Sequence, residues 1–186
     1  MKTALISIIL ITLFSCHHKE SVHITATIPN LFLSQGDTSI NINNGIYYYQ
    51  GKPFSGHLIE RYSTNEIHHH RSFFNGKEEG WQYQYYPNGS ISEKRFYEAG
   101  EKQGAHTGWY DNGSIRFEYH FNKGAYDGEY KEWYASGQLY KHIHYTNNND
   151  DWGKGWRENG KVYMNYVQKN GRRFGLINSN LCYTVK

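Results

Sequence analysis

The residues best suited to chemistry are the histidines. His68-His69-His70 form a run, and His142 and His144 would share one strand face. His120 and His144 occupy the same place in successive copies of a repeat. Imidazoles grouped in this way point to a zinc or copper site. Geometry argues against it. Equivalent positions one copy apart lie two strand spacings apart, roughly 9.6 Å. That is too far for two rings to share an ion held at about 2.0–2.1 Å by each. No carboxylate or Cys stands beside them at ligand spacing, so no metal site is expected and the histidines read as polar filler. Asp111, Asp127, Glu129 and Glu132 are scattered acids. The sequence has no Ser-His-Asp order, GxSxG elbow, phosphate loop or CxxC pair. No catalytic residue and no cofactor is expected.

The aromatic residues carry a stronger signal. Tyr85, Trp109, Trp133 and Trp156 recur at one position of the repeat, with Arg61 in the first copy. Such rings either stack to stabilise a sheet or line a flat platform. A platform suits a protein partner, because Trp, Tyr and Arg dominate interface energetics. It also suits sugars and choline-like cations, which bind ring faces.

The elements that position these rings follow from a 24-residue period. Gly56, Gly80, Gly104 and Gly128 open successive copies, and the series continues with a one-residue slip through Asp151 to Gly175. Six residues on come Tyr62, Tyr86, Tyr110, Tyr134 and Arg157. Nine on come Asn65, Gly89, Gly113, Gly137 and Gly160; twenty on come Gly76, Gly100, Gly124, Asn148 and Gly171. Two turn marks per copy leave room for two short strands, so one copy is one β-hairpin plus a turn to the next. A helix between glycines about ten residues apart would be marginal. Asn65 and Asn148 fit glycine positions because Asn tolerates the left-handed region. The expected fold is all-β: an elongated antiparallel meander sheet of about five 24-residue hairpins. Gly45 to Lys52 reads as a half-copy that starts the sheet.

From residue 17 onward the chain holds 31 Phe, Tyr and Trp against 22 Val, Ile, Leu and Met. Aliphatics are too few for an ordinary layered core, so rings must supply much of the stability. The formal charge is +3, and loss of Lys2 with a leader lowers it by one. That balance does not fit a nucleic-acid binder.

Lys2 and the apolar run Ala4 to Phe14 read as a secretory signal over residues 1–15, too short to span a bilayer. Leu13-Phe14-Ser15-Cys16 resembles a bacterial lipobox with Cys16 as the lipidated residue. Residues 16–43 then read as the lipidated Cys and a tether, with strand character from Ile28 to Leu33, and residues 44–186 as the repeat sheet. His17 in place of Asp favours the outer membrane under the lipoprotein sorting rule. With Cys16 lipidated, Cys182 has no disulfide partner.

The unit NGIYYYQGKPFSGHLIERY, followed by GxxxxYYxNGxIxxxxxYxxGxxxG, resembles the bacterial MORN-repeat-variant family, often labelled YwqK-type antitoxins. The resemblance covers about residues 44 to 175. It implies an all-β hairpin array and a role as the immunity or antitoxin partner of a protein toxin. The lipobox then requires that toxin to act outside the cytoplasm. The chain is expected to be a non-enzymatic, membrane-anchored, protein-binding repeat. The alternative is an envelope module that binds glycan or lipid headgroups on its aromatic face.

Overall fold

Two kinds of turn build the molecule. The turns closing each hairpin place Asn65, Gly89, Gly113, Gly137 and Gly160 at positive φ, between 76° and 83°. The turns that follow each hairpin put two residues in a row there: Asn75-Gly76, Ala99-Gly100, Lys123-Gly124, Asn147-Asn148 and Asn170-Gly171. Two consecutive positive φ values define a type I′ turn, whose twist matches that of the flanking strands. Asn at both expected glycine positions adopts the left-handed conformation.

The computed structural model describes residues 26–177. It is all-β, and its main sheet runs in sequential antiparallel order through five hairpins. The hairpin strands are Gly56–Arg61 with Ile67–Phe74, Gly80–Tyr85 with Ile91–Glu98, Gly104–Trp109 with Ile115–Asn122, Ala125–Trp133 with Leu139–Thr146, and Asn149–Trp156 with Val162–Lys169. A further strand, Arg172–Leu176, the last among the described residues, pairs with the fifth hairpin. The sheet does not close into a barrel, and the repeat period corresponds to one hairpin throughout.

The start of the sheet departs from expectation. Ile46–Tyr49 is not its edge. It lies in a separate three-stranded sheet with Ile40–Asn43 and Lys52–Pro53. The main-sheet edge is Phe32–Ser34, which runs parallel to Gly56–Arg61 with Phe32 opposite His57. Phe32–Ser34 overlaps the stretch read above as having strand character, whereas Ile40–Asn43, read as tether, is a strand as well. The driving force is apolar burial: Ile40, Tyr47 and Tyr49 pack on Phe54, Leu58 and Phe73, the largest fully buried apolar side chains among the described residues. Gly56 is required where the edge strand passes, because a Cβ there would collide with the Leu31 backbone oxygen.

Every hairpin contains a β-bulge at the same place. The register shifts between Glu60 and Arg61, Gln84 and Tyr85, Gly108 and Trp109, Glu132 and Trp133, and Gly155 and Trp156. Each bulge leaves one extra residue on the returning strand: His68, Ser92, Arg116, Tyr140 and Tyr163 in turn. A bulge breaks strict alternation, so this residue and its successor can face the same side.

Successive hairpins are joined at both ends. At one end the tyrosine hydroxyl six residues into each copy donates to a backbone carbonyl of the next. Tyr62 bonds Tyr85 O at 2.8 Å, Tyr86 bonds Trp109 O at 2.8 Å, Tyr110 bonds Trp133 O at 2.7 Å and Tyr134 bonds Trp156 O at 3.1 Å. At the other end the linking turn donates backward: Gly76 N to Phe54 O, Gly100 N to Glu78 O, Gly124 N to Lys102 O and Asn148 N to Tyr126 O, at 2.7–2.9 Å. The tyrosine column is thus a set of latches.

Candidate binding surface

Tyr85, Trp109, Trp133 and Trp156 each end the outgoing strand of a hairpin, at the bulge. The register sets them opposite Ile91, Ile115, Leu139 and Val162. Their carbonyls are the ones that receive the tyrosine latches, so the backbone beneath each ring is fixed from the preceding copy. All four are half-buried. Among the described residues, Trp109, Trp133 and Trp156 make no ring contact with one another, while Tyr85 stacks on Tyr83 at 6.3 Å. The row is a spaced series of rings, not a stack.

The rest of this face mixes rings with ion pairs. Trp81 is 40% exposed and meets Phe96 edge-on at 5.0 Å. The Lys94 ammonium sits 3.9 Å from the Trp81 ring centroid, a cation–π contact. His142 and His144 do share a face, since both lie against Trp152, at 4.7 and 6.2 Å. His142 pairs with Glu129, which also holds Lys131 at 3.0 Å. His144 pairs with Asp151 at 2.8 Å.

The opposite face is more crowded. Tyr119 stacks on Phe117 and Tyr130 at 4.5 and 4.2 Å, and Tyr126 bridges toward Phe121 and Tyr145. A Cβ at Gly108 would strike the Phe117 ring, and Cβ atoms at Gly153 and Gly155 would strike Tyr166 and Tyr163. Glycine here makes room for rings. Glu132 accepts hydrogen bonds from Tyr119 and Tyr130 at 2.7 Å each and an ion pair from Lys141 at 3.1 Å. Burial opposes its ionisation, but these donors outweigh it and hold the carboxyl below its ordinary range. Burial, with the Glu132 charge behind it, pushes both tyrosines upward. His106 is 2% exposed, between Tyr97 and Phe121. Burial depresses it to about 4, so it is neutral in the fold.

The expectation that the histidines lack carboxylates is overturned. Glu60 lies opposite His69 in the first hairpin and takes His69 Nδ1 at 2.8 Å and His68 Nδ1 at 3.5 Å. Glu118 stands 3.4 Å from His120. Strict alternation hid the first case, because it separates His68 from His69 and the bulge does not. A cleft of about 280 Å³ opens beside Glu60 and His69, lined further by Arg71, Glu78, Glu93 and Arg95.

The four opening glycines Gly56, Gly80, Gly104 and Gly128 all have positive φ, from 65° to 150°. Cys16 and Cys182 lie outside the described residues, as does the segment read as a signal. The chain matches no protein-family model and no curated protein.

Proposed function

We propose that the chain is a non-enzymatic binding protein that docks a protein partner on its ring-bearing face. It is held at the cell envelope, the outer membrane by preference, by a lipid on Cys16. The observation that carries this reading is the row Tyr85, Trp109, Trp133 and Trp156: half-buried rings, spaced one hairpin apart, on backbone clamped by the tyrosine latches. Rings on a rigid base lose little entropy when a partner covers them, which favours their use as interface anchors. The resemblance to the MORN-repeat-variant family makes a toxin acting outside the cytoplasm the partner class to test first.

The test is co-purification of the full-length chain from envelope extracts of its own organism, beside a Trp109→Ala/Trp133→Ala variant. The expected result is one partner at fixed stoichiometry, with affinity at least about thirty-fold weaker in the variant and an unchanged β circular-dichroism spectrum. Equal capture by both proteins would reject the ring face as the docking site. A second reading, binding of glycan or lipid headgroups, draws support from Lys94, whose ammonium already occupies a Trp81 ring face. It predicts tryptophan fluorescence changes with phosphocholine or cell-wall fragments in the absence of any protein.

A further inference from the structure

The run His68-His69-His70 divides between the two faces of the sheet. His70 faces one side, where its Nε2 lies 3.1 Å from His57 Nδ1, which is itself 3.0 Å from Ser72 Oγ. His68 and His69 face the other side together with Glu60, a consequence of the bulge opposite Arg61. Their rings lie 3.8 Å apart, and Glu60 reaches the Nδ1 atom of each through a different carboxylate oxygen.

We propose that Glu60, His68 and His69 form a binding site for a divalent transition-metal ion of the zinc class. One donor atom from each residue lies within 4.8 Å of the others. In a tetrahedral site with bonds of about 2.0–2.1 Å, ligand atoms stand roughly 3.3 Å apart. The two Nδ1 atoms now stand 2.8 and 3.5 Å from the two different oxygens of Glu60, separations of that order, so rotation of the half-exposed Glu60 carboxylate would bring one oxygen toward both. Two neutral imidazoles and a carboxylate suit zinc, nickel or copper and disfavour calcium and magnesium, which take oxygen ligands.

The surroundings support the assignment. His68 packs its ring 4.4 Å from Tyr62, whose hydroxyl is latched to Tyr85 O, so the ring has a fixed backing. The strands carrying the ligands are the first hairpin, which rests on the best-buried core. The side chains of Glu60, His68 and His69 are 40%, 26% and 28% exposed, which leaves a fourth position open toward the adjacent cleft. This arrangement lies within a single hairpin, so the wide spacing between copies does not bear on it. His57 and His70 on the other face offer two nitrogens and a hydroxyl, a poorer donor set.

The experiment is a titration of the full-length chain, purified in detergent and stripped with chelator, with ZnCl2 by calorimetry at pH 7.5 and with CoCl2 by visible absorption. The expected result is one ion per chain and a cobalt spectrum of a four- or five-coordinate N/O site. Glu60→Gln and His69→Gln should each weaken zinc at least about tenfold, while His70→Gln and His142→Gln leave it unchanged. Zinc should also raise the unfolding temperature of the native chain and not that of Glu60→Gln. Glu60→Gln keeps shape at a half-exposed position, so it decides the matter even if His69→Gln folds poorly. Absence of saturable binding, or binding lost in His70→Gln and retained in Glu60→Gln, would overturn the proposal.

Discussion

The two ends of the sheet are finished in opposite ways. At the first hairpin a separate three-stranded sheet covers Phe54, Leu58 and Phe73, which are 2%, 1% and 0% exposed. At the last strand among the described residues, Arg172–Leu176, every residue is exposed, Phe174 at 54%. The core shared by the fourth and fifth hairpins, Ile143, Met164 and Tyr166, retains 4–9% exposure. The tyrosine column also ends there, with Arg157 in place of Tyr and its guanidinium over the Tyr163 ring at 5.8 Å. Arg173 secures the final strand through a two-pronged ion pair with Asp150 at 2.9 and 3.0 Å. An array in which each unit leans on its neighbour needs one firm support, and residues ahead of the repeats supply it.

The largest expected effect sharpens this contrast directly. Phe73→Ala should cost about 3–5 kcal/mol, because it opens a cavity in the covered core. Phe174→Ala at the open end should stay within about 0.5 kcal/mol. Urea unfolding followed by circular dichroism measures both.

Acid should weaken the interior of the array next. His106 is neutral when folded and has an ordinary value near 6.5 when unfolded. The unfolded chain therefore binds the extra proton between about pH 6.5 and pH 4, and stability falls as pH drops through that window. We expect a loss of about 2–3 kcal/mol from this residue between pH 7 and pH 4. His57 and His70, also depressed by burial, add slope of the same sign. His106→Gln should flatten the curve and leave their residue. A curve unchanged by that substitution would reassign the acid sensitivity.

The latches give a smaller effect. Tyr86→Phe or Tyr110→Phe should each cost about 1 kcal/mol through one lost hydrogen bond. Tyr134→Phe should cost less, since its bond, at 3.1 Å, is the longest of the four. Smaller still is a gain: Lys123 holds φ 48° in a type I′ turn, and Lys123→Asn should stabilise by about 0.5–1 kcal/mol.

Much of this architecture was legible in the residues. Glycine and asparagine at fixed spacing specify turns through local backbone sterics, and turns specify hairpins, so all five hairpins could be read from two columns of marks. Three features could not. Strand character was legible from Ile28 to Leu33, but the parallel pairing of Phe32 with His57 joins segments 25 residues apart through burial and was not. The tyrosine column showed as a repeat, but its hydroxyl target is a carbonyl of the next copy, which sequence does not name. The bulges change which side chains share a face, so alternation alone misplaced His68 relative to His69 and concealed Glu60. The row Tyr85, Trp109, Trp133 and Trp156 was visible as a column, whereas its lack of mutual ring contact emerged only from the fold.

Order is anchored at the covered end and declines along the array, a gradient that native-state hydrogen exchange with residue resolution measures. The expected result is strongest amide protection in Gly56–Arg61 and Ile67–Phe74, graded protection through the middle hairpins, and the weakest in Arg172–Leu176. Uniform protection across all hairpins, or strongest protection in the fifth, would contradict it.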